Sequence, residues 1–169
     1  MRFTVDQPIR VPRPVVEAAF GDETFYAALG EMEALAPPEV LERRPDAEDP
    51  GIVHLRVRYS FAGHLAPAVR AVIDPAKVTW IDHSTFDRSR HRVDFRMVPE
   101  HYGDRFSCSG SYRFVADDDD PGVTRQLMEG EVVVRYPLVA GLVERGIISG
   151  LRQHMGEEAM LLERWAATS

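Results

Sequence analysis

Two side chains that can exchange protons, His154 and Glu158, stand four residues apart in the last long segment of the chain. At about 100° per residue on a helix, both fall inside an apolar stripe that runs from Val143 to Trp165. Burying an ionisable group without a partner is unfavourable, so each must be paired, neutral or in contact with water inside the fold. The spacing is therefore compatible with a structural pair, with side-chain tips that reach solvent, or with polar groups facing a wet internal cavity.

A histidine and a glutamate at this spacing could act as base and acid, with the glutamate orienting the imidazole ring. Such pairs are also common on helices that have no catalytic role. As metal ligands the two would need a further donor, such as His91 or Asp82, and no spacing in the sequence brings one to them. We therefore predict no metal and no cofactor, and leave catalysis by His154 and Glu158 open.

Composition and charge exclude several classes of function. The 169 residues fit one domain, residues 1–169, and the net charge of −7 comes with dispersed basic residues, which argues against nucleic acid as a partner. No stretch is long and apolar enough for stable membrane insertion, and the N-terminus lacks the apolar run of a signal peptide. The single cysteine, Cys108, cannot form an internal disulfide. We expect a cytoplasmic protein, and the sequence identifies no protein partner.

Hydrophobic periodicity predicts the elements that must position these groups. Phe3, Val5 and Ile9 alternate with polar residues in a first strand, and two short helices follow, the second capped by Asp22. Further strands are predicted at 40–44, 51–61, 78–86, 90–98, 105–115 and 127–136, before one long helix at 136–165. This order predicts an α+β fold in which a curved antiparallel sheet of six to seven strands wraps around the long C-terminal helix.

A sheet curved around a helix leaves room beside the helix, so an internal cavity is a natural by-product. Large aromatic and methionine side chains on the inward phase suit an adaptable apolar pocket, although ordinary core packing would use the same residues. Asp82 and Ser84 add polar groups to that phase. The candidate ligand-binding residues are Val57, Tyr59, Phe61, Trp80, His91, Phe95, Met97, Phe106, Tyr112, Met128, Val132, Leu151, His154, Met155 and Glu158.

Glycines within the long helix, at Gly141, Gly146, Gly150 and Gly156, each cost roughly 1 kcal/mol relative to alanine. Two explanations are a close approach of the helix to the sheet or ligand, and a kink near Gly146 that allows one helix end to move. A movable end could admit a ligand.

Three stretches of the sequence resemble the START-like, or helix-grip, superfamily of polyketide cyclase and lipid-transfer proteins (SRPBCC), and in particular a bacterial branch of unknown function. They are MRFTVDQPIRVPRPVVEAAFGDETFY, LAPAVRAVIDPAKVTWIDHSTFD and EVVVRYPLVAGLVERGI. They resemble the first strand with two small helices, the connection to a tryptophan-bearing strand, and the last strand leading into the long helix. The resemblance covers essentially the whole chain and supports a fold rather than an activity.

The resemblance implies a mostly apolar cavity beneath the last helix that binds lipids, sterols, polyketides or other hydrophobic molecules. No catalytic residue of the superfamily can be transferred, because the matching stretches contain none. The primary hypothesis is a protein that binds a hydrophobic small molecule or lipid without chemistry. Two alternatives stay open: a cyclase, dehydratase or hydrolase acting on a polyketide-like ligand, and a protein-interaction module with a filled core.

Overall fold

The computed structural model describes residues 1–65, 67–71 and 73–168. In chain order the elements are β1 (Arg2–Ile9), α1 (Arg13–Ala19), α2 (Glu23–Ala28), β2 (Glu39–Pro45), β3 (Ile52–Ser60), α3 (Pro67–Arg70), β4 (Thr79–Asp87), β5 (Arg92–Pro99), β6 (Phe106–Ala116), β7 (Thr124–Val134) and α4 (Ala140–Ala166). Short 3-10 turns lie at Leu29–Glu31 and Pro75–Lys77.

The seven strands of the described residues join one antiparallel sheet in the order β1-β7-β6-β5-β4-β3-β2. The two short helices follow β1, and α4 packs chiefly on β1 and β7. The predicted α+β class, with its curved sheet and long C-terminal helix, is confirmed. Because β1 pairs with β7, the first and last strands both lie under α4, and the strands β3 to β5 lie toward the other edge of the same sheet.

Local sequence explains the short helices. The side chain of Asp22 accepts hydrogen bonds from the backbone N–H groups of Thr24 and Phe25, which confirms the predicted cap of α2. Pro14 stands in the first turn of α1, where a missing N–H group is harmless. These two helices close one end of the sheet with Val16, Ala19 and Phe25 buried.

The long helix begins at Ala140, four residues later than predicted. Leu138 has a φ of 68° and is fully exposed, so the chain turns in the left-handed region between β7 and α4 instead of starting the helix at Pro137. From Ala140 the helix is continuous to Ala166. None of the helices in the described parts of the chain is long and apolar enough to cross a bilayer.

The glycines of α4 do not mark a close approach to the sheet. A Cβ atom added at Gly146 or Gly150 would have no neighbour within 4 Å, and one at Gly156 would lie 3.8 Å from the Oε1 atom of Gln7. The explanation by close packing on the sheet is therefore wrong at Gly146 and Gly150, where no protein atom lies within 4 Å of the added Cβ atom.

Apolar side chains between the sheet and the helices form two clusters. The first, which we call the packed end, lies under α1, α2 and the C-terminal part of α4, and includes Phe20, Phe25, Phe86, Phe114 and Leu162. The second lies under the N-terminal and middle parts of α4 and contains Phe3, Phe95, Cys108, Val132, Val143 and Met155. Tyr112 packs against both clusters.

Candidate functional site

The inner face of strands β3 to β5 carries large side chains that are not fully covered. Tyr59 lies opposite Trp80, and Asp82 lies between Val57 on one side and Met97 on the other. Tyr59, Trp80, Asp82 and Met97 are all partly exposed although they face the helix side of the sheet. We call these four residues, together with His154 and Glu158, the open side of the molecule. Its accessible surface follows from the position of α4, which packs on the distant strands β1 and β7.

Both polar residues of the helix reach the open side. The Nε2 atom of His154 lies 3.6 Å from the Oε2 atom of Glu158, and their side chains are 24% and 29% exposed. The ring of His154 meets the ring of Tyr59 edge-on, with centroids 6.1 Å apart. The two residues therefore lie close together on the inner side of α4, at a distance longer than a normal hydrogen bond.

Burial sets the charge states of this pair. It lowers the pKa of His154 to about 4, although the charge of Glu157 acts in the opposite direction. Burial, and then the charge of Asp82, raise the pKa of Glu158 to about 7. The imidazole is therefore neutral near pH 7, whereas the carboxyl group of Glu158 exchanges its proton in that range.

Asp82 contributes a second carboxyl group from the middle of β4. Its Oδ2 atom accepts a hydrogen bond of 2.8 Å from the hydroxyl of Ser84. Its Oδ1 atom is buried and has no hydrogen-bond partner among the described residues, and the same is true of the Nε1 atom of Trp80. Burial raises the pKa of Asp82 to about 6, with the Ser84 hydrogen bond acting against it. The site thus contains an acceptor and a donor that the described residues leave unused.

Three tyrosines from different elements lie within reach of the charges of the two carboxyl groups: Tyr26 on α2, Tyr59 on β3 and Tyr112 on β6. Burial raises the pKa of each well above its ordinary value, and the charges of Glu158 and Asp82 add to that effect. Their hydroxyl groups therefore stay protonated and can donate hydrogen bonds across the physiological pH range.

A small cavity of about 30 Å³ lies between Glu158 and the packed end. Polar groups of Tyr26, Tyr112, Gln126 and Glu158 line it, together with apolar residues such as Phe20 and Leu162. This volume holds roughly two water molecules. A larger ligand would have to occupy the open side instead.

One predicted site residue lies elsewhere. His91 occupies the turn between β4 and β5, with a φ of 52°, and its Nδ1 atom lies 2.7 Å from the Oε1 atom of Glu17 on α1. The expectation that it faces inward from a strand is wrong, because the chain turns there before β5 begins at Arg92. Within the described part of the chain, no three His, Cys, Asp or Glu residues are placed to hold a metal ion.

The remaining candidate ligand-binding residues form two groups, one buried and one partly exposed. Buried positions between the sheet and α4 are occupied by Val57, Phe95, Met128, Val132 and Met155. Partly exposed positions beside the second cluster are occupied by Phe106, Tyr112 and Leu151, and Phe61 follows β3, where it bridges Leu35. Tyr26 was missing from the predicted set. Its place on the apolar side of α2 was visible in the sequence, but the packing of α2 beside Glu158 was not.

Three solved structures of differently named proteins are similar to this fold. TTHA0849 from Thermus thermophilus is 20% identical, with a TM-score of 0.65 and coverage of 100% of both chains. The Zhui aromatase/cyclase from a Streptomyces species is 20% identical, with a TM-score of 0.56 over 94% of this chain and 93% of that one. Norcoclaurine synthase from Thalictrum flavum is 13% identical, with a TM-score of 0.64 over 100% of this chain and 87% of that one. These likenesses establish the helix-grip fold that the sequence resemblance predicted.

At the level of sequence, the family model described as "Protein of unknown function (DUF2505)" matches residues 4–166. A comparison with curated proteins found no significant match.

Proposed function

Since the chain belongs to the DUF2505 family, for which no function is described, we propose from its structure that it binds a hydrophobic small molecule or lipid between the sheet and α4, without chemistry. The observation that carries the proposal is the open side, where inner-face residues of β3 to β5 keep accessible surface next to α4. A filled core would have left these residues covered.

The chemical character of the open side supports an apolar ligand. The rings of Tyr59 and Trp80 stack with centroids 5.6 Å apart, and Met97 lies on the neighbouring strand. Flat rings and a flexible thioether offer an adaptable apolar surface. Each 100 Å² of apolar ligand surface removed from water there would contribute roughly 2–3 kcal/mol to binding.

The helix-grip fold commonly holds hydrophobic ligands between its sheet and last helix, which agrees with this proposal. The named activities of the structural relatives, aromatase/cyclase and norcoclaurine synthase, belong to those proteins. At 13–20% identity these structures support the same fold but do not identify a ligand for this chain, which has to be found by experiment.

A matched pair of substitutions on β5 tests the proposal. Met97→Trp adds bulk on the inner face, whereas Arg96→Trp places the same ring on the exposed outer face. Titration with a neutral naphthalene fluorophore should give saturable binding to the natural protein, weakened at least about tenfold by Met97→Trp and unchanged by Arg96→Trp. Thermal unfolding of both variants checks that they are folded.

Two results would contradict the proposal. One is the absence of saturable probe binding together with the absence of any co-purified apolar molecule in native mass spectrometry of the fresh protein. The other is equal weakening by the inner and outer substitutions, which would place the probe outside the open side.

A second candidate, acid–base chemistry on the bound ligand, is favoured by the pKa of Glu158 near 7. A carboxyl group that titrates close to working pH can both take and return a proton. The test is hydrogen–deuterium exchange in D₂O at the carbon beside the carbonyl of a bound naphthyl ketone, followed by NMR. Catalysed exchange that Glu158→Gln abolishes without loss of ketone binding would support this function. Exchange at the uncatalysed rate would oppose it.

A further inference from the structure

We propose that the ligand of the open side is an apolar amine, whose protonated nitrogen is held by Asp82 and Glu158 beside the Tyr59–Trp80 ring pair. This inference rests on the proposed binding function and specifies the chemical class of the ligand. It follows from the charge, the unused hydrogen-bonding atoms and the aromatic surface of the site.

The charge of the open side is negative and unbalanced. Its acidic groups are Asp82 on β4 and Glu158 on α4, and the charge of each acts on the same three tyrosines. No arginine or lysine of the described residues is among the groups that shift the pKa of Asp82 or Glu158. The arginines of these strands, such as Arg56, Arg58 and Arg96, alternate with the inner-face residues and so lie on the outer face.

The other titratable groups near the site do not supply a cation. They are His154 and Glu157 on α4, Tyr26 on α2, Tyr59 on β3, and Tyr112 and Cys108 on β6. His154 is neutral above its pKa of about 4, and burial raises the pKa of Cys108 to about 12. A cation from outside the protein is therefore the missing partner of the two carboxyl groups.

The hydrogen-bonding atoms fit the same ligand. The buried Oδ1 atom of Asp82 lacks a donor among the described residues, and leaving such an acceptor unpaired costs about 1–3 kcal/mol. An ammonium group brings three donors and a full charge, so it can satisfy both Asp82 and Glu158. An oxygen atom elsewhere in the ligand would accept from the Nε1 atom of Trp80, which also has no partner among those residues.

Aromatic surface adds a further contribution. The stacked rings of Tyr59 and Trp80 lie on the strand pair that also carries Asp82. Cations are attracted to aromatic faces by about 0.5–2 kcal/mol, most strongly by tryptophan. A ligand carboxylate would meet two acidic groups here, and a neutral hydroxyl group would leave the negative charge uncompensated. The amine is the class that fits all three features.

Three naphthalene compounds that share one apolar body test the inference: naphthylethylamine, naphthylethanol and naphthylacetate. Binding is measured by calorimetry at about pH 8, where both carboxyl groups are largely ionised. We expect the amine to bind at least about tenfold more tightly than the alcohol, and the acetate to bind most weakly. In Asp82→Asn and Glu158→Gln the preference for the amine over the alcohol should fall below about threefold.

The matched control is Asp94→Asn, which makes the same change in net charge on the exposed outer face of β5, where Asp94 pairs with Arg92. It should leave the amine preference unchanged. Lowering the pH from about 8 to about 5 protonates Asp82 and Glu158, so amine affinity should fall by about tenfold while alcohol affinity stays constant. The tyrosines, Cys108 and His154 keep their protonation states over this interval.

The outcomes separate the inference from the function on which it rests. If the alcohol binds as tightly as the amine, or if Asp94→Asn removes the preference as well as Asp82→Asn does, the amine assignment is overturned while ligand binding stands. If none of the three compounds binds, the amine assignment is overturned, and if native mass spectrometry also finds no co-purified apolar molecule, the proposed function itself fails. Circular dichroism and thermal unfolding of each variant exclude loss of folding as the cause.

Discussion

The packed end and the open side share the same sheet and the same helix, yet they are built in opposite ways. At the packed end the rings of Phe20 and Phe86 lie 5.1 Å apart, and Phe86 meets Phe114 edge-on at 6.0 Å. On the open side, near the other end of β4, Trp80 is partly exposed and leaves its Nε1 atom without a described partner. One end is filled with apolar rings, whereas the other keeps carboxyl groups and accessible surface.

The contacts of α4 with the rest of the protein also differ between its two ends. Near its C-terminus, the Nε1 atom of Trp165 donates to the hydroxyl of Thr24, and Arg164 pairs with Glu31. Gly146 and Gly150 lie in its N-terminal half, facing open space. Carboxyl groups that burial holds partly protonated reduce stability, and such groups cluster at functional sites. The contrast agrees with the proposal that the open side serves binding, whereas the packed end stabilises the fold.

The largest expected effect comes from removing an aromatic ring at each end of β4. Phe86→Ala, at a side chain 1% exposed, should lower the free energy of unfolding by about 3–5 kcal/mol. Trp80→Ala, on the same face of the same strand, should cost only about 1–2 kcal/mol because Trp80 is already partly exposed. Urea denaturation measures both values. Equal losses would mean that the two ends are equally packed.

Neutralising a carboxyl group on the open side should stabilise the protein in a pH-dependent way. Burial raises the pKa of Glu158 from 4.5 to about 7. The contribution of its protonated carboxyl group to the free energy of unfolding is therefore intact below about pH 4.5 and is lost as pH rises through 7. Glu158→Gln, which cannot ionise, should therefore raise the free energy of unfolding by on the order of 1–2 kcal/mol at about pH 8 and by little at about pH 4.5. Thermal unfolding at both pH values checks the sign. A gain of equal size at both would show that ionisation is not the cause.

A third comparison concerns the two tryptophans. Trp165→Phe keeps a ring beside Phe25 but removes the hydrogen bond to Thr24, and it should cost about 1 kcal/mol. Trp80→Phe removes a donor that has no described partner, so its cost should stay below about 0.5 kcal/mol. Denaturant midpoints of the two variants give the difference. A larger loss for Trp80→Phe would reveal a partner for Nε1 and weaken the contrast between the two regions.

The last comparison concerns the exposed glycines of α4. Gly146→Ala should stabilise the helix by about 0.5–1 kcal/mol, since an added Cβ atom meets nothing within 4 Å. Gly130→Ala on β7 is the contrasting control, because its Cβ atom would lie 2.7 Å from the ring of Phe3 and should destabilise the fold. Amide hydrogen exchange should show earlier opening at residues 141–150 than at 155–166 in the natural protein. Equal protection of residues 141–150 and 155–166 would contradict the hypothesis that one end of the helix moves.

Much of the fold could be predicted because each element has its own local signal. The alternation of Val53, Leu55 and Val57 in β3 follows from a strand with one buried face, and the cap at Asp22 follows from side-chain chemistry. The start of α4 was misplaced because Pro137 favours a first helical turn, whereas Leu138 takes a left-handed conformation that no local pattern revealed. His91 was misplaced because alternation does not show where the turn ends and β5 begins.

For the site, the sequence by itself determined that His154 and Glu158 share the apolar side of a long helix, since helical periodicity is a property of neighbouring residues. Only the tertiary structure decided what surrounds them. The pairing of β1 with β7 places α4 over one edge of the sheet and leaves Asp82 partly uncovered toward the other edge. Burial and the neighbouring carboxyl group then raise the pKa of Glu158, and both depend on contacts between residues far apart in the chain.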